Sequence, residues 1–343
     1  MTSHETVTGL VSREVDTGDA DRYLTLLTAE AGKVECYAKG IRKQTSKLAA
    51  SAGMLTFGEF KLFASRDRRI LISAQAIERF PGIGQDIMRY AYATHFLEIA
   101  RDVMQEAQPF PEALQTLLNS LFVLAYKSTP PSFVARVFEL RTLSLAGFAP
   151  VLDRCSVCGG SVELGGSATA GSATVGSATA GAATAGSATA GAATPKRYAF
   201  DVCGSGIVCG GGRCGASCAE SMQQGAPYEP APYGPTSSYA RASYTPTSSY
   251  TPVSSMPQPV PVSPGAIRAM RHVATCGAND IFNFSVNEAV AGELDSIVPA
   301  YLRCQLGRDY PRLAQAERYS AFEEEARYIA ASCIASRSSN GGS

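Results

Sequence analysis

Two groups of residues in this chain have the types and spacing that chemistry needs. The first is basic. In YAKGIRKQTSKLA, residues 37–49, Lys39, Arg42, Lys43 and Lys47 follow one another closely, with no acid between Glu35 and Glu59. From Gly32 to Ile72 these four, with Lys33, Lys61, Arg66, Arg68 and Arg69, face only Glu35, Glu59 and Asp67, a local excess of +6. Over all 343 residues, 30 basic and 30 acidic side chains cancel. The excess therefore belongs to one segment, which can attract a polyanion although the whole chain is neutral. Composition alone fits a solvated loop with strand-edge lysines equally well.

The second group is thiols. CSVCGG sets Cys155 and Cys158 two residues apart, the spacing that lets two thiolates of one tight turn share a tetrahedral zinc. Six of the ten cysteines fall within residues 155–218, and clustered thiols without a secretory leader point to metal. The second half of the site has to come from Cys203, Cys209, Cys214 and Cys218. Cys209 and Cys214 enclose four residues, Cys214 and Cys218 three, and both spacings are tolerated. A redox reading of Cys155 and Cys158 needs a helix opening at the first thiol, whereas 150–160 reads as a loop. Four thiolates would close the site and leave no position for an activated water, so its role is structural.

Little else carries reaction chemistry. His4, His95 and His272 are isolated, and His95, beside an apolar helical stripe, reads as a core or helix-surface residue. There is no His-Glu-x-x-His motif. GSGIVCGGG has the glycines of a phosphate cradle without its Lys-Ser/Thr. No catalytic residue is assigned, and the chain is not expected to be an enzyme.

The elements that must position these groups change character along the chain. Residues 5–80 read as five short strands broken by turn chemistry at DTGDAD, AGK and RDR, which predicts a small closed barrel with the basic segment linking its third and fourth strands. After PGIG the period becomes helical. Met88, Tyr92, Phe96, Ile99 and Val103 share one face; Leu114, Leu117, Leu118 and Leu121 follow Pro111; Phe133, Val134, Val137, Phe138 and Leu140 follow Pro130 and Pro131. Gly147 and Pro150 end the third helix. Helices resume at Ser263-Pro264 and at SVNE, 285–288, in capping-box form, and Pro299 is expected to kink or split the last one. Residues 166–194 repeat GSATA-like units with nothing large to bury, and 224–264 are rich in Pro, Tyr and Ser; both read as disordered. No apolar run reaches membrane-spanning length and the N-terminus lacks a leader pattern, so a cytoplasmic protein is expected.

Three segments in order, GLVSREVDTGDADRYLTLLTAEAGKVECYAKGIRKQTSKL, FELRTLSLAGFAPVLDRCSVCGG and FDVCGSGIVC, resemble the RecO family of DNA repair and recombination mediators. The resemblance spans residues 5–160, returns near 198–214 and is faint from 265 to 310. It implies an α+β fold, with an N-terminal OB-fold β-barrel followed by an α-helical domain carrying an inserted four-cysteine zinc module. The division is then 1–82 for the nucleic-acid-binding barrel, 83–154 for the first helical part, and 155–220 for the zinc module interrupted by the repeat. A linker covers 221–264 and the returning helices 265–335.

Membership further implies binding of single- and double-stranded DNA, strand annealing and, with RecR, help in loading RecA onto DNA coated with single-strand-binding protein, in the manner of the RecF pathway. Localisation would be cytoplasmic and nucleoid-associated. Lys39, Arg42, Lys43 and Lys47 would reach phosphates from a mobile loop, extended by Arg66, Arg68 and Arg69, with Tyr23, Tyr37 and Phe60 as stacking platforms if they face outward. Cys209 falls where the family has its third zinc ligand. The family's next thiol is missing, which leaves Cys214 or Cys218 as the fourth, Cys214 being the choice. The alternative is a scaffold that binds acidic partner tails without direct DNA binding, through a groove flanked by Arg101, Arg136 or Arg141.

Overall fold

The structure, a computed structural model, describes residues 3–64, 68–164, 198–209 and 259–311, and beyond these positions 313, 315, 316 and 318. The tandem repeat, residues 224–258 of the Pro/Tyr/Ser segment, Arg66, Cys214 and Cys218 lie outside the described residues. Two compact units divide the chain, one of Met1–Ala149 with Arg271–Ser343, the other Pro150–Met270. No described helix is long and apolar enough to cross a membrane.

The first unit begins with five strands, β1 (Ser3–Thr17), β2 (Asp21–Thr28), β3 (Gly32–Ala38), β4 (Phe57–Ala64) and β5 (Arg69–Glu78). They close in the order β1-β2-β3-β5-β4, the five-strand Greek-key barrel of an OB-fold. Only the β3–β5 junction, Tyr37 against Ile70, is parallel. Alternation sets the faces. On β3, Val34, Cys36 and Ala38 are buried while Glu35 is exposed and Tyr37 half-buried, as a period of two requires. Val11, Leu24, Leu26, Val34, Phe60, Leu62 and Leu71 fill the interior. Phe60 is completely buried, so it is a core side chain and not a stacking platform. The AGK turn depends on Gly32, whose φ of +61° and approach to the Gln105 carbonyl leave no room for a Cβ.

The same unit contains α1 (Pro81–Gly84), α2 (Ile87–Val103), α3 (Pro111–Tyr126) and α4 (Pro131–Leu145). Asp86 caps α2 by accepting from the Met88 and Arg89 amides. Pro111 and Pro131 open α3 and α4, where a missing N–H costs nothing. Gly147, at φ +92°, ends α4, and the Phe148 N–H reaches back to the Leu143 carbonyl at 2.9 Å.

The helix Glu288–Leu306 of this unit runs through Pro299 without splitting, at the loss of one intrahelical bond. Its cap is Asn287, which accepts from the Val290 amide, not the Ser285 of a capping box. Packing against α4 explains its continuity: Ile297, Val298, Tyr301 and Leu302 are buried, and the Tyr301 hydroxyl donates to the Phe148 carbonyl at 2.8 Å.

The second unit is a four-stranded sheet in the order β6-β8-β7-β9, with β6 (Val151–Cys155), β7 (Tyr198–Asp201), β8 (Gly206–Cys209) and β9 (Val260–Val262). Two expectations change here. Residues 151–155 form a strand paired in parallel with β8, not a loop. Residues 260–262, assigned to the linker, pair with β7 because Tyr198, Ala199 and Phe200 offer a free edge to an extended Val-Pro-Val. Ser263 then caps helix Pro264–Thr275 by accepting from the Ala266 amide, as the Ser-Pro context predicts. The division between the units falls inside that helix.

Candidate nucleic-acid interface and metal centre

The basic segment joins β3 to β4 and is anchored on the barrel. Ile41 and Ala52 are buried in the barrel core, and Leu48 packs against them from partial exposure. Its turns are closed by Lys43 N–H to Gly40 O, Ser46 N–H to Lys43 O and Ala52 N–H to Leu48 O. The Arg42 N–H donates to the Ala20 carbonyl, and the Leu55 N–H to that of Val11. Apolar side chains thus hold the segment down on the barrel, and its basic residues are pushed outward. Lys39, Arg42, Lys43 and Lys47 are all exposed.

They are not equally available. Lys39, Lys43 and Lys47 make no ion pair among the described residues, whereas Arg42 Nε lies 3.5 Å from Asp16, an acid already taken by Arg22 at 2.6 Å. Arg69 is paired with Glu5 at 2.8 Å. Arg68 is exposed and stands over the Tyr37 ring, 5.9 Å from its centroid.

Asp21 joins the strands to this segment. One carboxylate oxygen accepts the Tyr37 hydroxyl and the other the Gly40 N–H, at 2.6 Å. These two hydrogen bonds, Tyr37 first, hold its carboxyl below the usual range, helped by the nearby charges of Lys39 and Lys43. A depressed carboxyl gives its anchoring in full above the ordinary value of about 3.9 and loses it as pH falls through the lower, folded value. The Gly40 amide is therefore expected to stay protected from hydrogen exchange at pH 5 and to lose protection only as pH falls below the ordinary carboxylate value. In Asp21→Ala it should be unprotected throughout; equal protection in both proteins would contradict the anchor.

In the second unit, Cys155 ends β6, Cys158 lies in the turn after it and Cys209 ends β8, because parallel pairing of β6 with β8 brings the two strand ends together. Their sulfurs all lie within 4.8 Å of one another, and no other described group of His, Cys, Asp or Glu side chains makes such a cluster. Cys158 and Cys209 are 3.7 Å apart. Two sulfurs each about 2.3 Å from one tetrahedral ion sit about 3.8 Å apart, so the donor set fits a thiolate metal.

The Cys209 N–H points at the Cys155 sulfur at 3.4 Å. Burial, the largest single effect, pushes the Cys155 thiol up, but the backbone N–H groups of Cys158, Cys209 and Val157 together bring it below its usual value. Cys209 is disulfide-bonded; metal binding requires that bond to be reduced. Cys203 lies in the β7–β8 turn, outside the cluster, where its amide donates to Asp201. Cys36, by contrast, is an inert barrel thiol pushed up to about 12 by burial.

The arginines considered for an acidic tail are committed internally. Arg136 is buried and bonded to Glu139, Arg141 donates to the Ala274 carbonyl at 2.8 Å, and Arg101 donates to the Ser12 carbonyl. Sequence reasoning missed the polar group around Arg136. His95 Nε2 is 2.7 Å from Glu139, Arg136 Nη1 donates to the same carboxylate at 2.8 Å, and Arg136 Nε lies 3.2 Å from Asp295. The spacing of Arg136 and Glu139, three apart on a helix, was the available signal.

A closed five-strand barrel with exposed lysines on its β3–β4 segment, followed by helices and a sheet that gathers three cysteines, is an OB-like barrel with a helical domain. Comparison with known families makes this specific: residues 1–80 match the family model for the N terminus of recombination protein O, and residues 84–199 that for its C terminus. These matches cover more than half of the chain, which belongs to the RecO family.

Curated relatives named DNA repair protein RecO include that of Acetivibrio thermocellus, 41% identical over 154 residues, which are 45% of this chain and 61% of the relative. The protein of Symbiobacterium thermophilum is 35% identical over 45% of this chain and 60% of its own length. That of Heliobacterium modesticaldum is 34% identical, over 46% and 57%. The chain thus matches about three fifths of the length of these relatives.

Proposed function

We propose that this chain is a DNA repair and homologous recombination mediator that binds single- and double-stranded DNA through the barrel of residues 1–82. In this reading it anneals complementary strands and, with RecR, helps load RecA onto DNA coated with single-strand-binding protein. The observation that carries the reading is the exposed lysine set of the β3–β4 segment, Lys39, Lys43 and Lys47, held in place by the buried Ile41 and Ala52. Fixed cations lose little side-chain-bearing backbone freedom on meeting a phosphate backbone, which makes each contact cheaper than one from a free loop. Arg42, Arg68 and Arg69 extend the track, the last at the expense of its pair with Glu5; Arg66 belongs to it by sequence alone.

Nothing in the reading calls for catalytic chemistry. Zinc held by Cys155, Cys158, Cys209 and Cys214 would supply a structural tie in the cysteine sheet. Partner tails, RecR and single-strand-binding protein enter by family membership, and we do not assign them to Arg101, Arg136 or Arg141, which are occupied within the fold.

The test is salt dependence. Replacing Lys39, Arg42, Lys43 and Lys47 together by Gln is expected to flatten the slope of log affinity against log salt for a single strand by roughly 3 units, at about 0.7 per phosphate contact. Fluorescence anisotropy with a labelled oligonucleotide across 50–300 mM salt would be on the order of range needed. An unchanged slope would remove the segment from the interface, and absence of DNA binding by the purified wild-type chain would favour the scaffold alternative.

A further inference from the structure

Cys209 is disulfide-bonded, whereas Cys155 and Cys158 are free thiols. A sulfur held in a disulfide has no thiolate to offer a metal, so zinc at this cluster and the disulfide of Cys209 exclude each other. The three sulfurs nevertheless keep within 4.8 Å of one another. Oxidation of Cys209 therefore leaves the donor set assembled. The two free thiols differ in access: Cys155 is 1% exposed at the end of β6, while Cys158 is exposed in the turn that follows, its sulfur 3.7 Å from that of Cys209. This pair is not the Cys-x-x-Cys of the sequence. Its members lie 51 positions apart and are brought together by the pairing of β6 with β8.

We propose that the cluster is a redox switch of the zinc site, in which Cys158 takes over the disulfide of Cys209 and passes it to a small thiol in solution. This rests on reading the three thiols as zinc ligands. In the first step the Cys158 thiolate attacks the Cys209 sulfur: a Cys158–Cys209 bond forms, the original bond breaks, and the sulfur that leaves Cys209 departs as a thiolate and takes up a proton. The chain neither gains nor loses electrons. A small thiol of the glutathione kind then attacks the exposed Cys158 sulfur and frees Cys209, and a second molecule attacks the mixed disulfide, so that one small disulfide leaves and both cysteines are reduced. Zinc binding to the three thiols displaces their protons. With the small disulfide as oxidant the same steps run backwards and expel the ion, whose charge does not change. Cys155, sealed from solvent, serves only as a ligand.

The full chain would be equilibrated with zinc in mixtures of reduced and oxidised glutathione, its bound zinc measured after gel filtration, and its disulfides mapped by mass spectrometry after acid quenching and alkylation. Zinc is expected to be bound at the reducing end, lost at the oxidising end and regained on re-reduction, with a Cys158–Cys209 bond captured between. In the metal-free oxidised chain, Cys158→Ser should slow the appearance of the Cys209 thiol roughly tenfold or more, because attack from within the chain outpaces attack from solution. Cys203→Ser, outside the cluster, should leave that rate unchanged. Zinc that stays bound across the whole range overturns the switch and leaves the metal assignment standing. A Cys155–Cys209 bond in place of the expected one, or an unchanged rate in Cys158→Ser, overturns the transfer through Cys158. A fully reduced chain that binds no zinc overturns the switch and the metal reading together.

Discussion

Cys155→Ser and Cys158→Ser are each expected to abolish zinc binding by the reduced chain, which should otherwise carry one ion. The geometry behind this is the meeting of two strand ends: β6 delivers Cys155, β8 delivers Cys209, and the turn after β6 returns Cys158 to within 3.7 Å of Cys209. The sheet around them is small. It has four strands of three to five residues, and its interior rests on Phe200, Ile207, Val208 and Cys155. A core of that size supplies little stability unaided.

Structural zinc sites contribute about 10–16 kcal/mol in isolated zinc-finger peptides, comparable with or above the roughly 5–15 kcal/mol of a whole domain. Loss of the ion should therefore open the Pro150–Met270 unit to protease. The DNA affinity proposed for the barrel, which lies in the other unit, should change little. Cys203→Ser should keep its zinc, since that thiol lies outside the cluster. Metal analysis of Cys214→Ser and Cys218→Ser decides the fourth ligand. A wild-type chain that holds no zinc under reducing conditions would end the assignment.

The barrel was legible because its turns announce themselves chemically and its strands are short; DTGDAD and AGK stand where β1 turns to β2 and β2 to β3. The three helices after it were legible from their prolines and apolar stripes. What escaped was whatever depended on non-local partners. Ile41, Leu48 and Ala52 have no period within a basic segment, so nothing in the sequence distinguishes a cap anchored in the barrel from a free loop; only closure of the barrel creates the interior they fill.

The same holds for residues 151–155 and 260–262. Each is too short to read as a strand, and 260–262 carries a proline besides, until β8 and β7 offer it an edge. Pro299 fails as a helix breaker for a related reason, because burial of Tyr301 and Leu302 against α4 outweighs one lost hydrogen bond. Among site residues, the outward lysines were legible as a charge run. The pairing of Arg42 and Arg69 with acids was not, since Asp16 and Glu5 lie on another strand.

Glu139→Ala is expected to cost about 3–5 kcal/mol, the range for removing one partner of a buried ion pair. Glu139 is 1% exposed, and it holds both the Arg136 guanidinium and the His95 ring. Without it, Arg136 keeps only Asp295 among the described residues, whose side chain is 45% exposed and therefore well solvated, so a buried cation is left poorly compensated. This group forms one wall of a 520 Å³ cleft that also includes Arg308 and Tyr310. Water entering from that cleft should bring the cost toward the lower end of the range.

The loss is a penalty for the orphaned charge and not the net worth of the pair. Replacing both residues, Arg136→Met with Glu139→Leu, should recover most of the stability, since burying two paired charges nearly cancels their attraction. Urea unfolding of the single and double variants measures the difference. A Glu139→Ala chain within about 0.5 kcal/mol of wild type, the usual spread for surface substitutions, would show that the triad is solvated and does not hold α2 to α4.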